Sequence, residues 1–116
     1  NFGSVYENAV AQELCAHGFP LYYYNSKRQG ELDFVIEQNG EVLPIEVKSG
    51  KDYERHKALS NVLSSTTYKI PKGYVLCNDN VKQVGKVTYL PIYMTMFIQK
   101  EQPLPTSYKI DLTGLA

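Results

Sequence analysis

The chain has 116 residues, 43% of them hydrophobic and 21% charged, with twelve basic and twelve acidic side chains and no net charge. That is enough apolar material for one folded core, so disorder is excluded as the main state, and a generic polyanion-binding surface is excluded with it. A membrane span is excluded as well, and no membrane partner is expected. The uncharged run Val87 to Gln99 has only 13 residues and contains Pro91, against roughly 20 apolar residues for a span.

From the N-terminus, Gly3 to His17 reads as a helix ended by Gly18 and followed by Pro20. Tyr6, Val10 and Leu14 share one stripe of that helix, and Gly3 and Glu7 fall on it too. Leu21 to Tyr24 is a short strand whose tyrosines suit strand packing, and Lys27 to Gly30 is a polar turn. Glu31 to Glu37 alternates, with Leu32, Phe34 and Ile36 on one face and Asp33 and Val35 on the other. Asn39-Gly40 is a strong hairpin signal, and Glu41 to Ser49 is the returning strand.

Beyond Gly50, Asp52 to Ser64 suits a second helix with Ala58, Leu59, Val62 and Leu63 inward. Gly73 to Cys77 and Val87 to Leu90 read as strands separated by the turn Asn78-Asp79-Asn80. Pro91 sits at the first position of a closing helix, Ile92 to about Gln99. Residues 1–100 therefore form one α/β domain, a mixed sheet flanked by helices. Residues 101–116, with Pro103 and Pro105, form a tail that suits an edge strand or a packing arm. Cys15 and Cys77 lack CxxC spacing and read as reduced thiols of a cytoplasmic protein. The chain opens on Asn1-Phe2-Gly3 without a signal peptide or an initiating Met, which reads as a piece of a longer polypeptide.

The hairpin register concentrates charge. With Asn39-Gly40 as a two-residue loop, Asp33 faces Glu46 and Glu31 faces Lys48, all four on one face. A one-residue slip would turn the apolar set outward instead. Opposed carboxylates are unfavourable unless a positive charge lies between them. Lys48 supplies one, and a hard divalent cation such as Mg²⁺ or Mn²⁺ would supply the rest. Glu7, an acid on an otherwise apolar stripe, needs a partner of its own. Taken singly, each of these residues has a bland reading: Glu31 and Lys48 as an exposed ion pair worth little, the others as solvated acids.

Together, Glu7, Asp33 within Gly30-Glu31-Leu32-Asp33-Phe34, and Glu46 and Lys48 within Pro44-Ile45-Glu46-Val47-Lys48-Ser49-Gly50 resemble the PD-(D/E)XK nuclease superfamily. Within it the chain is most similar to the domain of unknown function at the C-terminus of prokaryotic AAA-type ATPases, itself like the Holliday-junction resolvases. Leu90-Pro91-Ile92-Tyr93 fits as well, while Leu32 stands where the Pro of the name would be.

The resemblance implies a restriction-endonuclease-like core of order α-β-β-β-α-β and metal-dependent hydrolysis of phosphodiesters in DNA, branched DNA included, or another nucleic acid. It implies Asp33, Glu46, Glu7 and the Val47 carbonyl as metal ligands and Lys48 as the group acting on water and phosphate. It also implies an upstream ATPase domain in the same polypeptide and a homodimer if the activity is resolvase-like. Lys51, Arg55, Lys27 and Arg28 are the candidate nucleic-acid contacts. The alternative is a non-catalytic nucleic-acid- or protein-binding module of that ATPase. No phosphate loop of the GxxxxGK[ST] type occurs, so the chain is not expected to bind ATP itself.

Overall fold

The computed structural model describes residues 2–26 and 30–100. Helix α1, Phe2–Ala16, leads into strand β1, Tyr22–Ser26, then β2, Gly30–Gln38, and β3, Glu41–Lys48. Helix α2, Lys57–Ser64, precedes β4, Gly73–Cys77, β5, Lys82–Val84, and β6, Val87–Pro91; a 3₁₀ helix, Ile92–Phe97, closes the series. The strands form one sheet in the order β1-β2-β3-β4-β6-β5. The pairs β3–β4 and β4–β6 are parallel and the other three antiparallel. This is the mixed α/β sheet the sequence predicts. Among the described residues, no helix is long and apolar enough to cross a membrane.

The ends of α1 follow from its residues. Gly18 takes φ +87°, and the Phe19 and Gly18 amides donate to the Leu14 and Cys15 carbonyls, the two bonds of a Schellman cap. At the hairpin, Asn39 and Gly40 both adopt positive φ, as a two-residue turn that matches strand twist requires. The register is the predicted one, from Gln38↔Glu41 to Phe34↔Ile45.

Both sheet faces are covered. On one, Val10 and Leu14 of α1 pack with Phe34, Ile36, Leu43, Ile45, Leu76 and Ile98. His17 Nδ1 donates to the Ile98 carbonyl at 2.7 Å and fastens the end of the 3₁₀ segment to α1. On the other face, Leu59, Val62 and Leu63 of α2 pack with Leu32, Val75, Cys77, Val87 and Tyr89.

Leu32 thus parts company with Phe34 and Ile36, against the expected alternation. The reason is a bulge: Tyr22 pairs with Val35 but Tyr24 with Leu32, so two steps of β1 oppose three of β2. The extra residue lies at Asp33–Phe34 and inverts the phase of the strand there. Gly30, at φ +102°, lets α2 come close, since a Cβ there would lie 3.0 Å from that of Ala58.

Three expectations need correction. The second helix begins at Lys57 rather than Asp52, because Asp52 to Arg55 form a turn whose side chains are engaged elsewhere. Tyr53 donates to Asp79 at 2.5 Å and Glu54 pairs with Lys82. Strand β5 was not expected at all; its three residues pair with β6 across a tight Gly85-Lys86 turn, and three residues carry no readable period. The closing helix is 3₁₀, with the Thr95 hydroxyl donating to the Ile92 carbonyl. The expected tail, 101–116, lies outside the described residues.

Candidate active site

The site forms where β2 and β3 part. Their ladder ends at Phe34↔Ile45, while β3 runs on to Lys48 paired through its other edge with β4. The expected Asp33–Glu46 and Glu31–Lys48 ladder pairs are therefore not made, and Glu31 and Lys48 form no ion pair. The Asp33 carboxylate fills the fork, accepting the Val47 backbone N–H at 2.8 Å. A side chain thus completes a hydrogen bond that a straight hairpin would have completed with backbone.

Glu46 is only 5% exposed and lies against Asp33. Its carboxyl is pushed up to about 8, first by burial, then by the negative charge of Asp33, with Lys48 opposing the rise. Lys48 is half-buried two residues on. By alternation, Glu46 and Lys48 fall on the α2 side of the sheet, in register with Val75 and Cys77.

Glu7 approaches from α1, on the opposite side. Its carboxyl is also held above the ordinary range, chiefly by burial and then by Asp33 and Glu31. Asp33 is therefore the common neighbour of Glu7 and Glu46. Among the described residues, no three His, Cys, Asp or Glu side chains are gathered into a ready cation cage; two carboxylates converge, and Glu7 does not close a third position. Val47, expected to offer its carbonyl, contributes its N–H to positioning Asp33.

Two carboxylates pressed together, one of them buried, leave an electrostatic cost that a proton or a cation relieves. The donor set therefore suits a hard divalent ion taking one or two protein carboxylates and several waters. Of the expected nucleic-acid contacts, Lys51 and Arg55 are exposed on the segment between β3 and α2, while Lys27 and Arg28 lie outside the described residues.

A family model described as Domain of unknown function (DUF4143) matches residues 2–94. The chain belongs to that family. The match runs from α1 into the 3₁₀ segment, so it includes the fork and both of its carboxylates. No curated protein and no solved structure matches the chain.

Two features of this DUF4143 domain escape the sequence pattern. The Asp33 bulge depends on the pairing of β1, which no local signal in β2 announces. The polar contacts behind Lys48 join residues far apart in sequence: Tyr53 meets Tyr89 edge to face, with ring centres 5.7 Å apart, and His56 Nε2 lies 2.6 Å from the Tyr89 hydroxyl. These contacts hold the segment after Lys48 against β6, and only the pairing Asn78-Asp79-Asn80 with Tyr53 had a turn signal at one end.

Proposed function

We propose that this domain hydrolyses phosphodiester bonds of nucleic acid with the help of a divalent cation held by Asp33 and Glu46, on a restriction-endonuclease-like core. The observation that carries this reading is the strand fork. There a carboxylate fixed by a backbone N–H stands beside a buried carboxyl pushed up to about 8, with a lysine two residues on. A purely structural strand pair gains nothing from that arrangement, because a buried acid beside another acid destabilises the fold.

The Val47 N–H sets the orientation of Asp33, so its carboxylate is held in a fixed direction beside Glu46. Burial keeps Glu46 short of water and thereby eager for a positive partner. Lys48 orients an attacking water or neutralises charge developing on a phosphoryl oxygen, the role for which a compact ammonium suits best. A Mg²⁺ or Mn²⁺ ion, when bound, supplies a lowered water pKa and Lewis-acid screening of the phosphate. Glu7, beside Asp33, adds negative potential that strengthens cation attraction without closing a third position. Lys51 and Arg55, exposed on the following segment, are suited to the flanking backbone. An AAA-type ATPase domain in the same polypeptide, and a second copy of this chain, are the partners this reading carries with it.

The test is calorimetric titration of Mg²⁺ and Mn²⁺ into the wild type and Asp33→Asn, followed by cleavage assays on single-stranded, duplex and branched DNA and on RNA, with Lys48→Ala as control. Binding lost in Asp33→Asn, together with cleavage lost in Lys48→Ala, is expected. A wild type that binds neither ion, even with an oligonucleotide present, would leave a binding module of the ATPase in place of the enzyme.

A further inference from the structure

A cleft of about 720 Å³ opens at the C-terminal ends of β4 and β6. Because β3, β4 and β6 run parallel, this is the end of an α/β sheet at which ligands are commonly held. Its walls carry Tyr6 of α1, Tyr93 of the 3₁₀ helix and the turn Asn78-Asp79-Asn80. Cys77, also in its wall, pairs in register with Lys48 on the neighbouring strand. The Asn78 side-chain amide donates to the Ser49 carbonyl at 3.1 Å and ties the cleft to the residue after Lys48.

The chemistry of the cleft differs from that of the fork beside it. Tyr93 is 71% exposed, an aromatic face that neither core uses. Among the described residues lining the cleft, only Asp79 carries a formal charge. Tyr53 and the Asn80 N–H both donate to that carboxylate and hold its pKa below the ordinary range. The cleft thus has no basic residue in its described lining to hold a phosphate, while offering ring faces, amides and an acceptor for an exocyclic amine. That combination complements a nucleobase. The positive charge for a phosphate stands on the next strand at Lys48, on the α2 side, so a nucleic-acid strand would cross the C-terminal edge of the sheet to meet both.

We infer that this cleft receives an unpaired nucleobase of the nucleic-acid strand whose phosphate meets Lys48. The inference rests on the nuclease reading and narrows its substrate class. A base inside an intact duplex has both faces stacked and its edge paired, so it reaches Tyr93 only after leaving the helix. The preferred substrate is thus a strand with an unpaired nucleotide next to the scissile phosphate.

The test uses a single-stranded oligonucleotide carrying 2-aminopurine, and a duplex of the same sequence, with Ca²⁺ in place of Mg²⁺ to slow turnover. The expected results are a fluorescence change with the single strand, weaker binding of the duplex, and about 5- to 150-fold weaker single-strand binding by Tyr93→Ala, the range that stacking on one aromatic ring commands. Tyr93→Phe is expected to restore binding. Equal affinity for both nucleic acids, or a Tyr93→Ala variant that binds and responds like the wild type, overturns the inference. The Mg²⁺-induced shift in Tm separates the two possible failures. A shift that is retained in Tyr93→Ala and lost in Asp33→Asn confines the failure to the cleft, whereas a wild type with no shift removes the metal site as well.

Discussion

Replacing Glu46 by Gln is expected to stabilise the metal-free domain at alkaline pH and to do little in acid. The isostere keeps the volume and can donate to Asp33, so it mimics the protonated acid. The direction follows from linkage. A carboxyl at about 8 in the folded chain, against an ordinary 4.5, keeps its proton while the unfolded chain loses it. Stability therefore declines as pH rises from about 4.5 to about 8 and stays low above that.

At about 1.4 kcal/mol per pKa unit, the ceiling on this cost is roughly 5 kcal/mol. Relaxation and water penetration around the buried carboxyl lower this, so about 2–3 kcal/mol is expected from Glu46→Gln at about pH 9, and under about 1 kcal/mol at about pH 5. Urea unfolding of both chains across this range, in EDTA, measures the difference directly. Added Mg²⁺ should narrow the gap at high pH by stabilising the wild type and not the variant. Parallel wild-type and Glu46→Gln profiles across the range would refute the reasoning, for then Glu46 neither suffers burial nor feels Asp33.

Three further substitutions probe the scaffold. Leu14→Ala, at a fully buried position in the α1 layer, should cost about 2–5 kcal/mol in urea unfolding. Gly30→Ala should cost about 1–3 kcal/mol, because φ +102° strains any Cβ and Ala58 already occupies its space; thermal unfolding measures the loss. Tyr89→Phe leaves His56 Nε2 without its 2.6 Å partner and should cost about 1–2 kcal/mol, seen as a lower urea midpoint with an unchanged slope.

Much of this was legible in the order of residues because it is local. The Asn39-Gly40 turn dictates its own geometry, and the hairpin register follows from it without further help. Gly18 similarly announces the end of α1. The site was legible as a set of residues but not as an arrangement. A direct pairing of Asp33 with Glu46 is what a straight hairpin dictates, whereas the bulge that opens the fork arises from β1, a different strand with its own register. The start of α2 was hidden for a related reason. Helical propensity extends back to Asp52, but Tyr53 and Glu54 gain more from Asp79 and Lys82 than from another helical turn.

The bulge also divides the labour within one strand. Phe34 and Ile36, beyond it, belong to the layer under α1, while Leu32, before it, belongs to the layer under α2. Asp33 stands at the seam and contributes to neither apolar layer. Chemistry and architecture are consequently uncoupled at a single position: the acid can be exchanged for another side chain able to accept the Val47 N–H without emptying either core. Deleting one residue at the seam would remove the acid and close the bulge, restoring a continuous ladder with β1 while simple alternation keeps Leu32 in its own layer. A scaffold built in this way can change or abandon its reaction long before it loses its shape.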